Sequence, residues 1–229
     1  MELKRKKQQN QGKPPVYDRA ALNLNFVEKD ALRDKTDSYW RFLLSGETVT
    51  WRDEIAGEIN VRTSVVSDPI LVKGNGQFLY TLASVIDDSD FGVTDVVRGI
   101  DHLTNTAVQI EIFRNLSAGL PVFGHHSLIV DNSGENFSKR SGSLSIKSLK
   151  EAGIEAGAIV SKLVSLGTGD GLDLKNNINE LTPKFELNKF STAPVKFEKE
   201  VLKTISRKLI ANLSVSEIFP YLDLIGIPD

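Results

Sequence analysis

The 229-residue chain balances 28 Lys+Arg against 30 Asp+Glu, a formal net charge of −2, and is 40% apolar. That is enough apolar material for a buried core in one or two domains, and the charge gives no global attraction for nucleic acid. Cysteine is absent, which excludes disulfides, thiolate nucleophiles and Cys-containing zinc sites. No apolar run approaches the ~20 residues of a membrane helix, and Met1 to Lys7 lack an apolar signal core, so the expectation is a cytoplasmic protein with no membrane partner.

Taken in chain order, the first segment is basic: Lys4, Arg5, Lys6, Lys7 and Lys13 crowd a helical start that ends at Gly12. This cluster reads either as a local RNA contact or as a solvated face. Pro14-Pro15 then forces extended backbone. Tyr39 to Leu44, Thr48 to Trp51 and Glu58 to Arg62 are short strand-like runs, with Ser45-Gly46-Glu47 as a turn candidate between the first two.

From Ile70 to Lys73 a strand is expected, followed by a Gly74-Asn75-Gly76 turn and then a second strand or a helix over Phe78 to Ile86. The Gly-x-Gly lacks a third glycine placed to open a helix and reads as a hairpin turn, not a nucleotide loop. Gly92 to Arg98 and Pro121 to Val130 are apolar strands. Between them Val108, Ile112 and Leu116 recur at helical spacing. Strand, helix, strand is the signature of an α/β sheet with parallel strands, whose ligands bind at the carboxyl ends of the strands. Beyond Ser143 the pattern is helical over Ser145 to Glu151, Ala156 to Leu166, Glu198 to Leu213 and Val215 to Leu224, punctuated by Pro183 and Pro194 and by a glycine-rich bend at residues 167–171.

The loop from Asp131 to Gly142 ends a strand and presents Ser138, Lys139 and Arg140 together, a hydroxyl and two cations suited to stabilising a phosphate group in transfer. Asp87, Asp88 and Asp90 read as a turn or cap more readily than as metal ligands. Adjacent His125 and His126 on a strand point to opposite faces, so they do not share an ion, and at least one is expected to be packed or hydrogen-bonded.

The loop resembles the second signature of class I aminoacyl-tRNA synthetases, which in glutamate enzymes reads Lys-Leu-Ser-Lys-Arg. Ser138, Lys139 and Arg140 match its last three positions, and Asn136 stands where the first lysine would be. The likeness extends through Tyr80 to Asp88, through Val97 to Thr106, through Pro121 to His126, and back to Gly12 to Asp18. The resemblance implies an α/β fold: the C-terminal half of a Rossmann-type catalytic domain over residues 69–144, preceded over 1–68 by part of an inserted acceptor-binding subdomain. It assigns 145–229 to a helical stem-contact region and the start of an anticodon-binding region.

By that likeness Tyr80, Ser84, Arg98, Asp101 and His102 would hold glutamate, Ile129 and Lys139 would meet ATP, and Ser138, Lys139 and Arg140 would serve the chemistry. Ile100 departs from the family's Glu in the Gly-Glu-Asp-His run. The implied function is ATP-dependent attachment of glutamate to tRNA through a glutamyl-adenylate, with Mg2+ accompanying ATP and no zinc. The His-Ile-Gly-His signature is not in the sequence, so the chain is expected to be a fragment of a synthetase. The alternatives are an inactive tRNA-binding piece, or one half of a split enzyme needing a complementing N-terminal half.

Overall fold

The computed structural model describes residues 10, 16–33, 38–135 and 145–224. The basic cluster at Lys4 to Lys13 and the Ser138, Lys139, Arg140 loop lie outside the described residues. The chain forms two compact units, Met1–His125 and His126–Asp229.

In the first unit, Asn25 opens helix α1 (Phe26–Arg33) with a reciprocal cap: its Oδ1 accepts from Glu28 N at 2.9 Å and its own N–H donates to Glu28 Oε2 at 2.8 Å. Strand β1 (Tyr39–Arg41) pairs antiparallel with β4 (Ile70–Lys73). Strands β2 (Thr48–Asp53) and β3 (Gly57–Arg62) form an antiparallel hairpin in full register from Thr48↔Arg62 to Asp53↔Gly57. Asp53 makes that hairpin turn: its Oδ1 accepts from Ile55 N and Ala56 N, and Gly57 takes the positive φ of 75° that the chain needs there.

The main sheet has the order β3-β2-β6-β5, with β5 at Asp95–Gly99 and β6 at Val122–His126; β2 and β6 pair in parallel through Asp53↔Phe123. Helix α2 (Tyr80–Asp90) packs on α3 (Leu103–Asn115). Every residue of α3 from Thr106 to Phe113 is buried, the behaviour of a helix covered all round. The core gathers Leu44, Val49, Val85, Ile110, Phe113 and Phe123.

Three local expectations are revised. The strand-like run Tyr39 to Leu44 shortens to Tyr39–Arg41, and Ser45-Gly46-Glu47 connects strands of different sheets. After the Gly74-Asn75-Gly76 turn, closed by Gly76 N donating to Lys73 O at 2.9 Å, only a single Val72↔Phe78 bridge forms before the helix begins. Leu82 and Val85, a helical step apart and facing the core, settle strand against helix. The apolar run from Pro121 to Val130 is two strands: β6, then β7 (Ile129–Val130), which pairs in parallel with β8 (Val195–Lys196) in the second unit.

The second unit is helical around that ribbon. Ser145 caps α4 (Ile146–Glu151) with a capping box to Ser148. Helices α5 (Ala156–Ser165), α6 (Ile178–Leu181), α7 (Lys199–Ala211) and α8 (Val215–Leu224) follow. Leu149, Ala158, Leu166, Phe197, Leu202 and Ile205 form its core. Gly157 admits close approach of another segment: a Cβ there would stand 2.8 Å from Lys175 O. No helix among the described residues is long and apolar enough to cross a membrane.

Candidate functional site

Arg98 sits near the carboxyl end of β5, and the groups that hold its guanidinium are all neutral. Its Nη1 donates to the Tyr80 hydroxyl at 3.3 Å. Its Nη2 donates to Thr106 Oγ1 at 2.6 Å and to Gln109 Oε1 at 2.5 Å. The Nε is buried with no acceptor among the described residues, and the group lies 5.9 Å over the Phe123 ring. No carboxylate of the described residues forms an ion pair with it. Burial pushes the Asp88 carboxyl above its ordinary range, a shift that the Arg98 charge opposes. An arginine held by neutral acceptors keeps its charge available to an anion, which the remaining Nη1 N–H can meet with a charge-assisted hydrogen bond.

The sequence-assigned residues gather around it to different degrees. Tyr80 opens α2, is 56% exposed, and touches Arg98 directly. Ser84, one turn further along α2, accepts from Gln109 Nε2 at 2.7 Å and so reaches Arg98 through Gln109. His102 contributes its backbone oxygen to Thr106 Oγ1 at 3.2 Å, while its ring Nδ1 lies 3.5 Å from Asn105. Asp101 is exposed in the short 3-10 turn after β5. In the other unit, Ile129 begins β7 and is exposed.

The loop after β7 starts as an Asx turn, in which Asp131 Oδ1 accepts from Ser133 N at 2.9 Å and Glu135 N at 3.0 Å. The Ser133 hydroxyl, with those N–H donors, holds the Asp131 carboxyl below its ordinary range. Among the described residues no group of three or more His, Asp or Glu is placed to hold a metal ion. Asp87, Asp88 and Asp90 stand in the last turn of α2, where Asp87 O and Asp88 O receive the N–H groups of Phe91 and Val93.

Behind Arg98 lies a buried chain that sequence reasoning missed except at His125, which is fully buried while His126 is exposed. Thr106 Oγ1 is 2.7 Å from His125 Nε2, and His125 Nδ1 meets Asp53 Oδ2. Burial works against the Asp53 charge, yet the N–H groups of Ala56, Ile55 and His125 and the His125 ring together hold its carboxyl below the ordinary range. Burial keeps the His125 pKa below its ordinary value although Asp53 pulls the other way. The pair is therefore a carboxylate facing a neutral imidazole. One signal for this chain was available: Thr106 and Gln109, with Glu111 beside them, are polar residues in the otherwise apolar stretch from Thr106 to Phe113.

The arrangement of sheet and helices is the α/β fold of solved aminoacyl-tRNA synthetases. The structure of a glutamate tRNA ligase from Elizabethkingia meningosepticum, in complex with its amino acid, is similar to this chain with a TM-score of 0.80 at 24% identity, covering 98% of this chain and 51% of that one. Glutamate-tRNA synthetase from Elizabethkingia anophelis gives 0.80 at 23% identity, over 98% and 52%. The family description for class I tRNA synthetases (E and Q), catalytic domain, matches residues 1–204, and the chain belongs to that family. Curated relatives include glutamate–tRNA ligase 2 of Ruegeria sp. (strain TM1040), 48% identical over all of this chain and 52% of its own length. Glutamate–tRNA ligase 1 of Roseobacter denitrificans is 46% identical over the same shares. The chain thus spans about half the length of the curated relatives it matches.

Proposed function

We propose that the chain is part of a glutamate–tRNA ligase and that its first unit carries the glutamate pocket around Arg98. In this reading residues 1–68 belong to the acceptor-binding insertion, 69–144 to the catalytic α/β domain and 145–229 to the stem-contact and anticodon-side helices. The observation that carries it is the free charge of Arg98, held by Tyr80, Thr106 and Gln109 without a carboxylate partner among the described residues. Tyr80 and Ser84 line the approach along α2, and Asp101 with His102 follow β5 where an ammonium group can be met by a carboxylate. The names of the relatives, and the amino acid bound in the Elizabethkingia meningosepticum ligase, support glutamate as the ligand.

The reaction this serves joins the glutamate carboxylate to the α-phosphate of ATP with loss of pyrophosphate, then passes the acyl group to a terminal ribose hydroxyl of tRNA with loss of AMP. Mg2+ bound with ATP supplies charge neutralisation on the phosphates. This chain's own residues bind and orient: Arg98 and Tyr80 hold the amino acid, Ile129 lies against the adenine, and Lys139, flanked by Ser138 and Arg140, faces the phosphates. The rest of a relative's length is needed to complete the site in this reading, and a complementing N-terminal half is one way to supply it.

Calorimetric titration of the purified chain with L-glutamate is the direct test. Binding by the parent chain and its loss in Arg98→Ala support the pocket; equal affinity in both rejects it. Adding the complementing polypeptide is expected to produce glutamate-dependent exchange of pyrophosphate into ATP. Lys139→Ala then lowers that exchange about a hundredfold or more, as for loss of one charge-stabilising donor worth ~2.7–4 kcal/mol.

A further inference from the structure

Asp53, Thr106, Gln109 and His125 are 0–3% exposed, too deep to touch a ligand, yet all of them converge on one side of Arg98. We propose that Asp53, His125 and Thr106 form a directional relay that turns a hydroxyl lone pair toward Arg98, and that Gln109, oriented by Ser84, is a second arm of the same device. These are positioning residues: they fix the guanidinium in one orientation while leaving its charge uncancelled. The inference rests on Arg98 facing an anionic amino acid and names what makes that site selective for a carboxylate.

The direction follows from counting protons. Asp53 Oδ1 already accepts three backbone N–H groups, from Ile55 at 3.1 Å, Ala56 at 2.9 Å and His125 at 2.9 Å. Its Oδ2 faces the His125 Nδ1 and the Trp51 Nε1, the latter at 3.3 Å. A carboxylate oxygen has nothing to donate, so the ring proton belongs on Nδ1. A neutral ring then has a bare Nε2, and the Thr106 hydroxyl 2.7 Å away must donate to it. The competing acceptor, His102 O, is farther at 3.2 Å. With its one proton committed, Thr106 can only accept from Arg98 Nη2, which it meets at 2.6 Å.

The second arm obeys the same logic. The Gln109 Nε2 donates to Ser84 Oγ at 2.7 Å, which points the amide oxygen at Arg98 Nη2. A flipped amide would set N–H against N–H. Thr106 and Gln109 stand one turn apart on α3, so both reach the same nitrogen. Because each acceptor is neutral, neither competes with an incoming carboxylate as an aspartate in their place would.

Two measurements on the isotope-labelled full chain decide this without a ligand. Long-range nitrogen correlation spectra are expected to show His125 protonated on Nδ1 and bare on Nε2; a proton on Nε2 overturns the relay. In Thr106→Val, rotation of the Arg98 guanidinium is expected to quicken roughly tenfold, the equivalent of one net hydrogen bond, with Thr106→Ser restoring the parent rate. Unchanged Arg98 rotation in a folded Thr106→Val chain overturns the positioning role, and if that variant does not fold the parent's tautomer still decides. A glutamate titration separates the two levels of the argument. Roughly tenfold weaker binding in Thr106→Val, recovered by Thr106→Ser, supports the device. If Arg98→Ala binds as tightly as the parent, the pocket reading fails while the two spectroscopic outcomes still judge the relay.

Discussion

Glu111 offers a sharp test of what ties α3 to the sheet. Glu111 is 6% exposed and has no cationic partner among the described residues; Oε2 accepts from Ser45 N at 2.8 Å, and Oε1 from Ser45 Oγ at 2.9 Å and Thr63 Oγ1 at 2.8 Å. In Glu111→Ala all three bonds go, each worth ~1.5–3 kcal/mol with a charged acceptor. Thr63 can turn its proton to Glu47 O at 3.0 Å, and Ser45 is exposed enough for water to replace part of its loss. A cavity the size of two methylenes adds ~1.6 kcal/mol. Removing a buried charge also relieves its desolvation cost, and the balance is a destabilisation of about 3 kcal/mol.

Glu111→Gln behaves differently. Its amide oxygen keeps Ser45 N, and its NH2 donates to Thr63 Oγ1 once that hydroxyl turns to Glu47 O, so the loss is about 1 kcal/mol. The chain has two tryptophans, Trp40 and Trp51, both in the first unit, so urea unfolding followed by tryptophan fluorescence reads that unit directly. With a slope of ~2 kcal/mol per molar urea, the midpoint falls by about 1.5 M for the alanine variant and about 0.5 M for the glutamine one. Equal midpoints for the two variants would refute the bonding scheme.

Other expectations follow from the same structure. Asp53→Asn places an NH2 beside the His125 Nδ1 and the Trp51 Nε1, so the imidazole proton moves to Nε2; nitrogen shifts that keep the parent tautomer contradict this. Because burial holds the His125 pKa below its ordinary ~6.5, the unfolded chain takes up that proton first as pH falls. Its contribution to stability is complete above pH ~6.5 and declines below that, until the folded ring protonates as well. The urea midpoint is expected to drop between pH 7.5 and 5.5 and to drop less in His125→Gln; equal drops in the two chains count against it. In the second unit, Gly157→Ala puts a Cβ 2.8 Å from Lys175 O and 2.9 Å from Asn176 Cα, both backbone atoms that yield poorly. The cost is ~1–3 kcal/mol, offset by up to ~1 kcal/mol of helix propensity. Faster amide hydrogen exchange along α5 is the expected sign, and unchanged exchange refutes the close approach.

Much of the fold was legible because its periodicities are strong. The alternation in β2 buries Val49 and Asp53 and exposes Thr48 and Thr50, and the Ser145 capping box starts α4 where the pattern began. Arg98 and Tyr80 were found through motif likeness, and the structure brings them within hydrogen-bonding distance. What the pattern could not carry was sheet membership. The run from Pro121 to Val130 is broken only by His125, His126 and Ser127, with no proline or glycine between the two strands to mark the change of sheet after His126. Nor could periodicity foresee the polar groups behind Arg98. Asp53 ends a strand and Gln109 interrupts only the apolar pattern of a continuous helix, and they reach Arg98 through side-chain contacts that no local period encodes.

That distance has a consequence for how the first unit comes into being. Helix α3 has no face for water from Thr106 to Phe113, and its anchors reach back 66 residues to Ser45, while Asp53 waits for His125 across 72. During synthesis Asp53 of the hairpin and Thr106 of the helix therefore leave the ribosome before their partner His125, and they are met only when β6 arrives to fill the sheet between β2 and β5. Assembly is expected to be slow and cooperative, with the apolar side of α3 open to aggregation throughout the interval before closure.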